Sequence, residues 1–369
     1  LKSAKIGVGI IGASGWGKVA HIPALQALSE YEIIAVCTTQ QQSAEEIAQH
    51  FRINHFYTDP YELVANPDVE LVVITVKVPE HYELIQIAIN TGKHIYCEWP
   101  LALNQAEATD ILQLATTKRI RHVSGLQARA NPAINYVKDL LKEDYLGEVV
   151  SVNVSYSMPS FPTTGDTIDQ AHAYLLDIKN GANQLTITAG HLLDGITYMM
   201  GPFAKVSATL ETQHKEVSII ETGEVIQANA PDYVALHGKL TSGALLSGQF
   251  RNSIIAGLTI DIIGTKGEIS MKSNDRLMFQ WDSFILQAAI GANKDYHTLI
   301  VPSHYYHLDP QSVSMIAYNI AQLYIQFAND LHNDTYTTPD FQTGYETHYL
   351  LDHIIKSAET GTVQYLTAK

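Results

Sequence analysis

Gly12-Ala13-Ser14-Gly15-Trp16-Gly17 follows the apolar run Lys5–Gly12 and opens a helical stretch. Small residues at such a turn let the backbone approach a pyrophosphate. The following helix N-terminus offers free N–H groups and a partial positive charge. Ser14 stands where the pattern G-x-G-x-x-G has its middle glycine. In its strand–turn–helix setting the segment predicts a dinucleotide site with Gly12, Ser14, Gly15, Trp16 and Gly17 as contacts; a tight corner without a ligand is the plainer alternative. The second strand ends in Cys37-Thr38-Thr39-Gln40-Gln41. It has no carboxylate for the adenosine ribose of NAD and no Arg for the 2′-phosphate of NADP. Hydroxyls on Thr38 and Thr39 can donate to a phosphate, so the choice between NAD and NADP tilts toward NADP.

Other residues could do acid–base work. His191 and Asp194 are three apart on a helix and share a face, so the carboxylate could orient the imidazole. By spacing alone, a surface pair or a core histidine is the plainer reading. Lys77, after the strand-like run Asp68–Val76, either reaches a cofactor edge or is a solvated charge. Arg129, after the run His122–Gly125, meets an anionic group or forms a structural ion pair. His304-Tyr305-Tyr306-His307 supplies two imidazoles with no Cys or carboxylate motif beside them, too few for a metal site. Tyr156, Tyr174 and Tyr198 are candidates to line a polar pocket, or ordinary packing.

These residues need elements to place them. The chain has 369 residues, 46% hydrophobic and 17% charged, which fills a core and excludes a disordered chain. Its formal charge of −15 makes it a poor direct ligand for nucleic-acid phosphates or anionic lipid. Cys37 and Cys97 lie in apolar strand-like stretches and read as reduced, buried thiols, which implies a cytoplasmic protein. No apolar run reaches the ~18 residues that span a membrane. The chain begins at Leu1, which suggests a trimmed start, and Ile6–Ala13 reads as a first strand rather than a signal core.

Through residue 125, apolar strands alternate with helices. The strands are Lys5–Gly12, Glu32–Cys37, His55–Tyr57, Asp68–Val76, His94–Cys97 and His122–Gly125. The helices are Lys18–Leu28 with a kink at Pro23, Ser43–Phe51 capped by Ser43, Pro60–Ala65, Glu80–Asn90 and Asn104–Lys118. That order predicts a parallel sheet covered on both faces, with ligands at the carboxyl ends of its strands. Beyond it come helices Pro132–Glu143 and Gln184–Met199. A strand-like run at Glu148–Tyr156 lies between them, and further runs follow at Ala204–Glu211, Glu216–Thr222, Tyr233–Leu240, Ala244–Phe250, Leu258–Gly264, Glu268–Met271 and Arg276–Gln280. Hairpin breaks at Thr241–Gly243 and Thr265–Gly267 imply a large, mostly antiparallel sheet, and Ser312–Asn329 and Gly344–Ala358 close the chain as helices.

Three further segments converge with the glycine turn: Val76-Lys77-Val78-Pro79-Glu80-His81-Tyr82-Glu83, Gly92-Lys93-His94-Ile95-Tyr96-Cys97-Glu98-Trp99-Pro100 and Gly190-His191-Leu192-Leu193-Asp194. Together they resemble the glucose–fructose oxidoreductase / inositol dehydrogenase / rhizopine-catabolism (Gfo/Idh/MocA) family over nearly the whole chain. The resemblance implies an α/β Rossmann domain at 1–125 that binds NAD(P), and at 126–369 an α+β substrate and oligomerisation domain with a large open-faced sheet. It further implies bound NAD(P) between the domains, hydride transfer on a sugar or polyol-like alcohol, a homodimer or homotetramer formed through the C-terminal sheet, and cofactor contacts at Val76, Lys77, His81, Glu98, Trp99 and Arg129. It raises His191 and Asp194 to catalytic candidates, with Lys77 a possible substitute for a missing lysine.

That lysine is missing because Glu98-Trp99-Pro100 stands where the family's enzymes usually carry Glu-Lys-Pro, and Ile187 stands where they commonly carry Asp. Glu-Trp, with Gly15-Trp16, Leu126-Gln127, Pro231-Asp232 and Ile260–Gly267, is similar to the branch of the fungal galactose-pathway transcriptional repressor, a non-enzymatic member. Trp99 cannot accept a proton. It either stacks near the nicotinamide or packs at a domain interface. An NAD(P)-dependent oxidoreductase is therefore the first expectation, and a non-catalytic NAD(P)-binding sensor the alternative.

Overall fold

The computed structural model describes residues 5–158, 162–253, 255–275, 278–291 and 295–366. They fall into two compact units: Leu1–Ala130 with Tyr306–Glu346, and Asn131–Tyr305 with Thr347–Lys369.

The first unit is built on six parallel strands: β1 (Ile6–Ile11), β2 (Tyr31–Cys37), β3 (His55–Tyr57), β4 (Leu71–Ile74), β5 (His94–Glu98) and β6 (His122–Gly125). Their spatial order is β3-β2-β1-β4-β5-β6, every pair parallel. This is the Rossmann order, and it reverses direction between β1 and β4. Every residue of β4 is buried, as a strand covered on both faces requires. The helices α1 (Ile22–Gln26), α2 (Gln41–Phe51), α3 (Pro60–Ala65), α4 (His81–Asn90) and α5 (Gln105–Lys118) connect the strands.

Residues 306–346 complete this unit, whereas a division at 125 assigns them to the second. The reason is burial. Helix α8 (Met315–Asn333) carries Ala317, Ile320, Ala321, Tyr324, Phe327 and Ala328 at helical spacing, and these pack with Val8, Ile10, Leu71, Val73 and Tyr96 in one core.

Two local differences have direct causes. The expected kink at Pro23 lies earlier, as a wide π turn over Gly17–His21 in which the Ile22 N–H reaches the Gly17 carbonyl. Pro23 has no N–H to give and its ring crowds the carbonyl four residues back, so the preceding turn widens. Helix α2 begins at Gln41 with Gln40 as its cap, not at Ser43.

In the second unit nine strands form one sheet: β7 (Val149–Met158), β9 (Phe203–Glu211), β12 (Tyr233–Leu240), β13 (Leu245–Asn252), β14 (Gly257–Gly264), β15 (Gly267–Ser273), β16 (Phe284–Ile290), β17 (His297–Leu299) and β18 (Gln364–Tyr365). Their order is β17-β16-β15-β14-β7-β13-β12-β9-β18; β7 and β13 run parallel and the other neighbours antiparallel. One face is apolar and buried (Val152, Val154, Leu246, Phe250, Ile260, Ile262), and the other carries Ser151, Asn153, Ser155, Ser247, Gln249 and Thr259. Helices α6 (Pro132–Lys142) and α7 (Gly190–Met200) pack on one another. Short strands β8 (Thr167–Ile168), β10 (Glu216–Ile219) and β11 (Val225–Gln227) make a small separate sheet over Leu176, Val217 and Ile219.

Met278–Gln280, expected as strand, is a turn; Arg276 and Leu277 lie outside the described residues. The Asp282 carboxylate collects the Ser273 hydroxyl and the Asn274 and Asp275 amides, closing a loop in place of a strand. Among the described residues no helix is long and apolar enough to cross a membrane.

Helix α9 (Phe341–Thr360) starts in the first unit, where the Phe341 N–H donates to His122 Nδ1 at 3.0 Å and the two rings stack. Only an unprotonated Nδ1 can accept. Burial pushes this imidazole down to about 4, against about 6.5 in an unfolded chain. Its contribution to stability is therefore complete above about pH 6.5 and lost as pH falls toward about 4. His122→Asn keeps an acceptor and removes the titration. Its urea midpoints at pH 7 and pH 5 should lie closer together than those of the unsubstituted protein; an equal spread in both would contradict the assignment.

Candidate functional site

The carboxyl end of β1 turns sharply at Gly12, whose φ of +89° favours glycine. The Gly12 and Ala13 amides donate to the Cys37 carbonyl at 3.0 and 3.3 Å, tying the turn to β2. From β4 the buried Thr75 hydroxyl lies 3.0 Å from both the Ile11 and the Gly12 carbonyl oxygens. A Cβ on Gly12 would come within 2.9 Å of the Thr75–Val76 backbone, and one on Gly17 within 2.9 Å of the Gly12 carbonyl and the Thr75 hydroxyl. Gly15 differs: a Cβ there meets nothing within 4 Å. Ser14 and Gly15 are exposed, and their amides donate to no acceptor among the described residues. Trp16 is half-buried at the helix start. Paired glycines thus close the corner, and two outward amides at the reversal of strand order form a cradle that suits a phosphate.

The neighbouring strand ends differ in what they offer. Thr38 is buried and donates its hydroxyl to the Gln40 carbonyl at 2.9 Å, so that proton is committed; Thr39 is exposed. After β4, Val76 is half-buried and Lys77 exposed. His81 is buried, with Nδ1 2.9 Å from the Pro100 carbonyl and Nε2 3.0 Å from the Val76 carbonyl. It clips the end of β4 to the end of β5. Burial lowers its pKa, opposed by the two carbonyls, and a neutral ring donates to only one of them. Expected as a cofactor neighbour, it also serves as a structural clasp. Arg129 is half-buried on a short 3₁₀ turn, Gln127–Ala130.

Glu98 ends β5 with its side chain 12% exposed. It accepts from His21 Nε2 at 3.1 Å, while His21 Nδ1 lies 2.8 Å from the Tyr324 hydroxyl. A Cβ on Gly125 would meet Glu98 Oε1 at 2.7 Å, so glycine there leaves the carboxylate its place. Trp99 is 5% exposed and cannot act on a proton. Sequence reasoning missed His21, Tyr324, Thr75 and Gly125. An imidazole amid the apolar run Val19-Ala20-His21-Ile22 was the one available signal.

In the second unit, Asn183 and Thr186 form a capping box for a π turn, Gln184–Ala189, that leads into α7. His191 is 3% exposed, and its Nδ1 has no hydrogen-bond partner among the described residues. Burial pushes the imidazole down to about 3, so it is neutral at ordinary pH. Asp194 is also buried and accepts from the Thr347 hydroxyl at 3.5 Å. The two share α7, but no hydrogen bond or ion pair joins them, so the expected orientation of the imidazole by the carboxylate is not made. Gln184 adds a second orphaned buried group: its Oε1 takes the Thr188 hydroxyl at 3.2 Å, and its Nε2 has no partner among the described residues. Tyr156 is committed to packing, its hydroxyl accepting the Phe279 amide at 2.8 Å. The described residues hold no group of three or more His, Cys, Asp or Glu able to bind a metal.

Comparisons with known proteins match two separate segments of the chain. Residues 6–125 match the family model "Oxidoreductase family, NAD-binding Rossmann fold", and residues 132–273 match "Gal80p, C-terminal domain". The dehydrogenase aclE of Aspergillus oryzae is 32% identical over 217 residues, which span 57% of this chain and 58% of that protein's length. The galactose/lactose metabolism regulatory protein GAL80 of Saccharomyces cerevisiae is 24% identical over 303 residues, 74% of this chain and 68% of the regulator. A crystal structure of a super-repressor mutant of that Gal80p superposes with a TM-score of 0.85 at 22% identity, covering 99% of both chains. Levoglucosan dehydrogenase in complex with NADH and L-sorbose gives 0.85 at 22% identity, over 98% of this chain and 99% of that one. The shared architecture spans enzymes and a regulator.

The two kinds of glycine separate by experiment. Gly17→Ala forces a methyl onto the Gly12 carbonyl and should lower the thermal midpoint by several degrees, as a loss of about 1–3 kcal/mol does. Gly15→Ala has open space and should melt with the unsubstituted protein; equal losses would contradict this assignment of roles.

Proposed function

We propose that the chain is a member of the Gfo/Idh/MocA oxidoreductase family, whose Rossmann model its residues 6–125 match, and that it is an NAD(P)-dependent oxidoreductase acting on a sugar or polyol-like alcohol. One observation carries the reading: the free amides of Ser14 and Gly15 stand over a corner built from Gly12, Gly17 and Thr75, at the reversal of strand order in the first unit. When bound, the dinucleotide supplies the hydride acceptor. The chain's own residues supply the rest. Ser14 and Gly15 offer N–H donors to a phosphate, and Glu98 offers a carboxylate oxygen at the end of β5. His191 offers an unprotonated nitrogen to take the alcohol's proton.

His191 has to do this without the usual lysine. Loss of a sole acid–base group costs about 10²–10⁴-fold in rate. A neutral buried imidazole offsets part of that only if binding substrate raises its basicity from the depressed value. Asp194 holds the helix register beside it through Thr347, and Lys77, exposed near the end of β4, is the weaker candidate.

The finer assignments rest on less. With the Thr38 hydroxyl committed to Gln40, the lean toward NADP depends on Thr39. The hydroxyl- and amide-rich outer face of the nine-stranded sheet supports association into a homodimer or homotetramer. Two buried thiols, Cys37 pushed up to about 12 and Cys97 raised well above its ordinary value, support a cytoplasmic setting.

A second reading follows from Trp99: a non-catalytic NAD(P)-binding regulator that reports through a protein partner. The discriminating assay mixes the purified protein with NAD⁺ or NADP⁺ and a panel of sugars and polyols, and follows nicotinamide reduction in the near ultraviolet. The enzyme reading expects turnover with at least one alcohol, reduced by about 10²–10⁴-fold in His191→Ala. Cofactor binding without turnover on any alcohol, together with a partner recovered by pull-down, would establish the regulator instead.

A further inference from the structure

His21 is fully buried on the π turn that follows the glycine corner, with each ring nitrogen engaged: Nε2 on Glu98 Oε1 at 3.1 Å and Nδ1 on the Tyr324 hydroxyl at 2.8 Å. Tyr324 is fully buried on α8, and burial holds its phenol well above the ordinary value, so it keeps its proton. A carboxylate oxygen accepts, so Nε2–H is the donor to Glu98; in the neutral tautomer that this leaves, Nδ1 takes the Tyr324 hydroxyl. Tyr96 and Tyr324 wall the imidazole, with ring centroids 5.2 and 5.9 Å from it at near-perpendicular planes. His21 holds Glu98 through Oε1, and the buried Tyr96 phenol is the other polar group beside this carboxylate, whose side chain still reaches solvent.

We propose that His21 and Tyr324 are positioning residues for Glu98, locking its carboxylate so that the second oxygen can accept a hydroxyl of the bound dinucleotide. This rests on the cofactor reading above and adds what that reading does not contain: the geometry of Glu98 is set through His21 from Tyr324 on α8, a residue separated from His21 by 303 positions along the chain. The π turn has a use in this light, because it is the segment that delivers His21 between the corner and β5.

Tyr324→Phe removes one oxygen and keeps the ring. In nicotinamide-fluorescence titrations with NADH and NADPH it should weaken binding about two- to tenfold, the range of one hydrogen bond. On a Glu98→Gln background the same change should add little, since both act through one carboxylate. Tyr31→Phe is the structural control: its hydroxyl donates to the Tyr324 backbone carbonyl at 2.7 Å, so its loss should lower the melting temperature and leave affinity unchanged. The imidazole ¹⁵N signals of His21 should change in Tyr324→Phe, since one of its two ring contacts is removed. Unchanged affinity in Tyr324→Phe, or a full-sized effect without Glu98, overturns the dyad while leaving the cofactor reading intact. Failure of the unsubstituted protein to bind either dinucleotide overturns both.

Discussion

A single buried hydroxyl closes the corner on which the first unit's site depends. Thr75, at the end of β4, reaches the last two carbonyls of the β1 segment and holds that chain end against its neighbour. With the strands so close, the turn has no room for side chains where it crosses β4, and Gly12 and Gly17 follow. The one position with space, Gly15, is where the backbone turns outward. The cradle is thus a consequence of tight packing beneath it. At the end of β5 the same constraint recurs, where Gly125 yields the volume that the Glu98 carboxylate occupies.

Much of this was legible in local sequence. Strands as uniformly apolar as Leu71-Val72-Val73-Ile74 can only lie in a sheet covered on both faces, and the glycine turn after the first of them marks the ligand end. Period-two alternation from Glu148 to Tyr156 likewise announced the second sheet. What stayed hidden depends on partners far apart in sequence. Tyr324 meets His21 across about 300 residues, and no local spacing records that. The return of α8 to the first core is of the same kind. Strand β16, Phe-Ile-Leu-Gln-Ala-Ala-Ile, suits helix and strand alike, and only its pairing with β15 decides it.

The His191–Asp194 pair shows the opposite limit. Residues three apart on a helix share a face in outline, yet here each side chain finds a different environment: one takes a threonine hydroxyl, and the other keeps a bare nitrogen in the interior. A buried imidazole nitrogen without a partner is costly to maintain in a core that needs only packing. It is therefore the feature of the second unit that most asks for a ligand. Trp99 points the other way, because an indole cannot exchange a proton as an amine does and offers a large flat surface instead. A fold shared by dehydrogenases and a regulator does not choose between these roles. The choice lies in the basicity of one ring and in what binds beside it.

All of this presumes that the outward amides of the glycine corner hold a dinucleotide. Isothermal titration of the folded protein with NAD⁺, NADH, NADP⁺ and NADPH tests it directly. The account predicts saturable heat with at least one of the four at a single site per chain. No heat with any of them, from protein whose circular dichroism shows it folded, would contradict it.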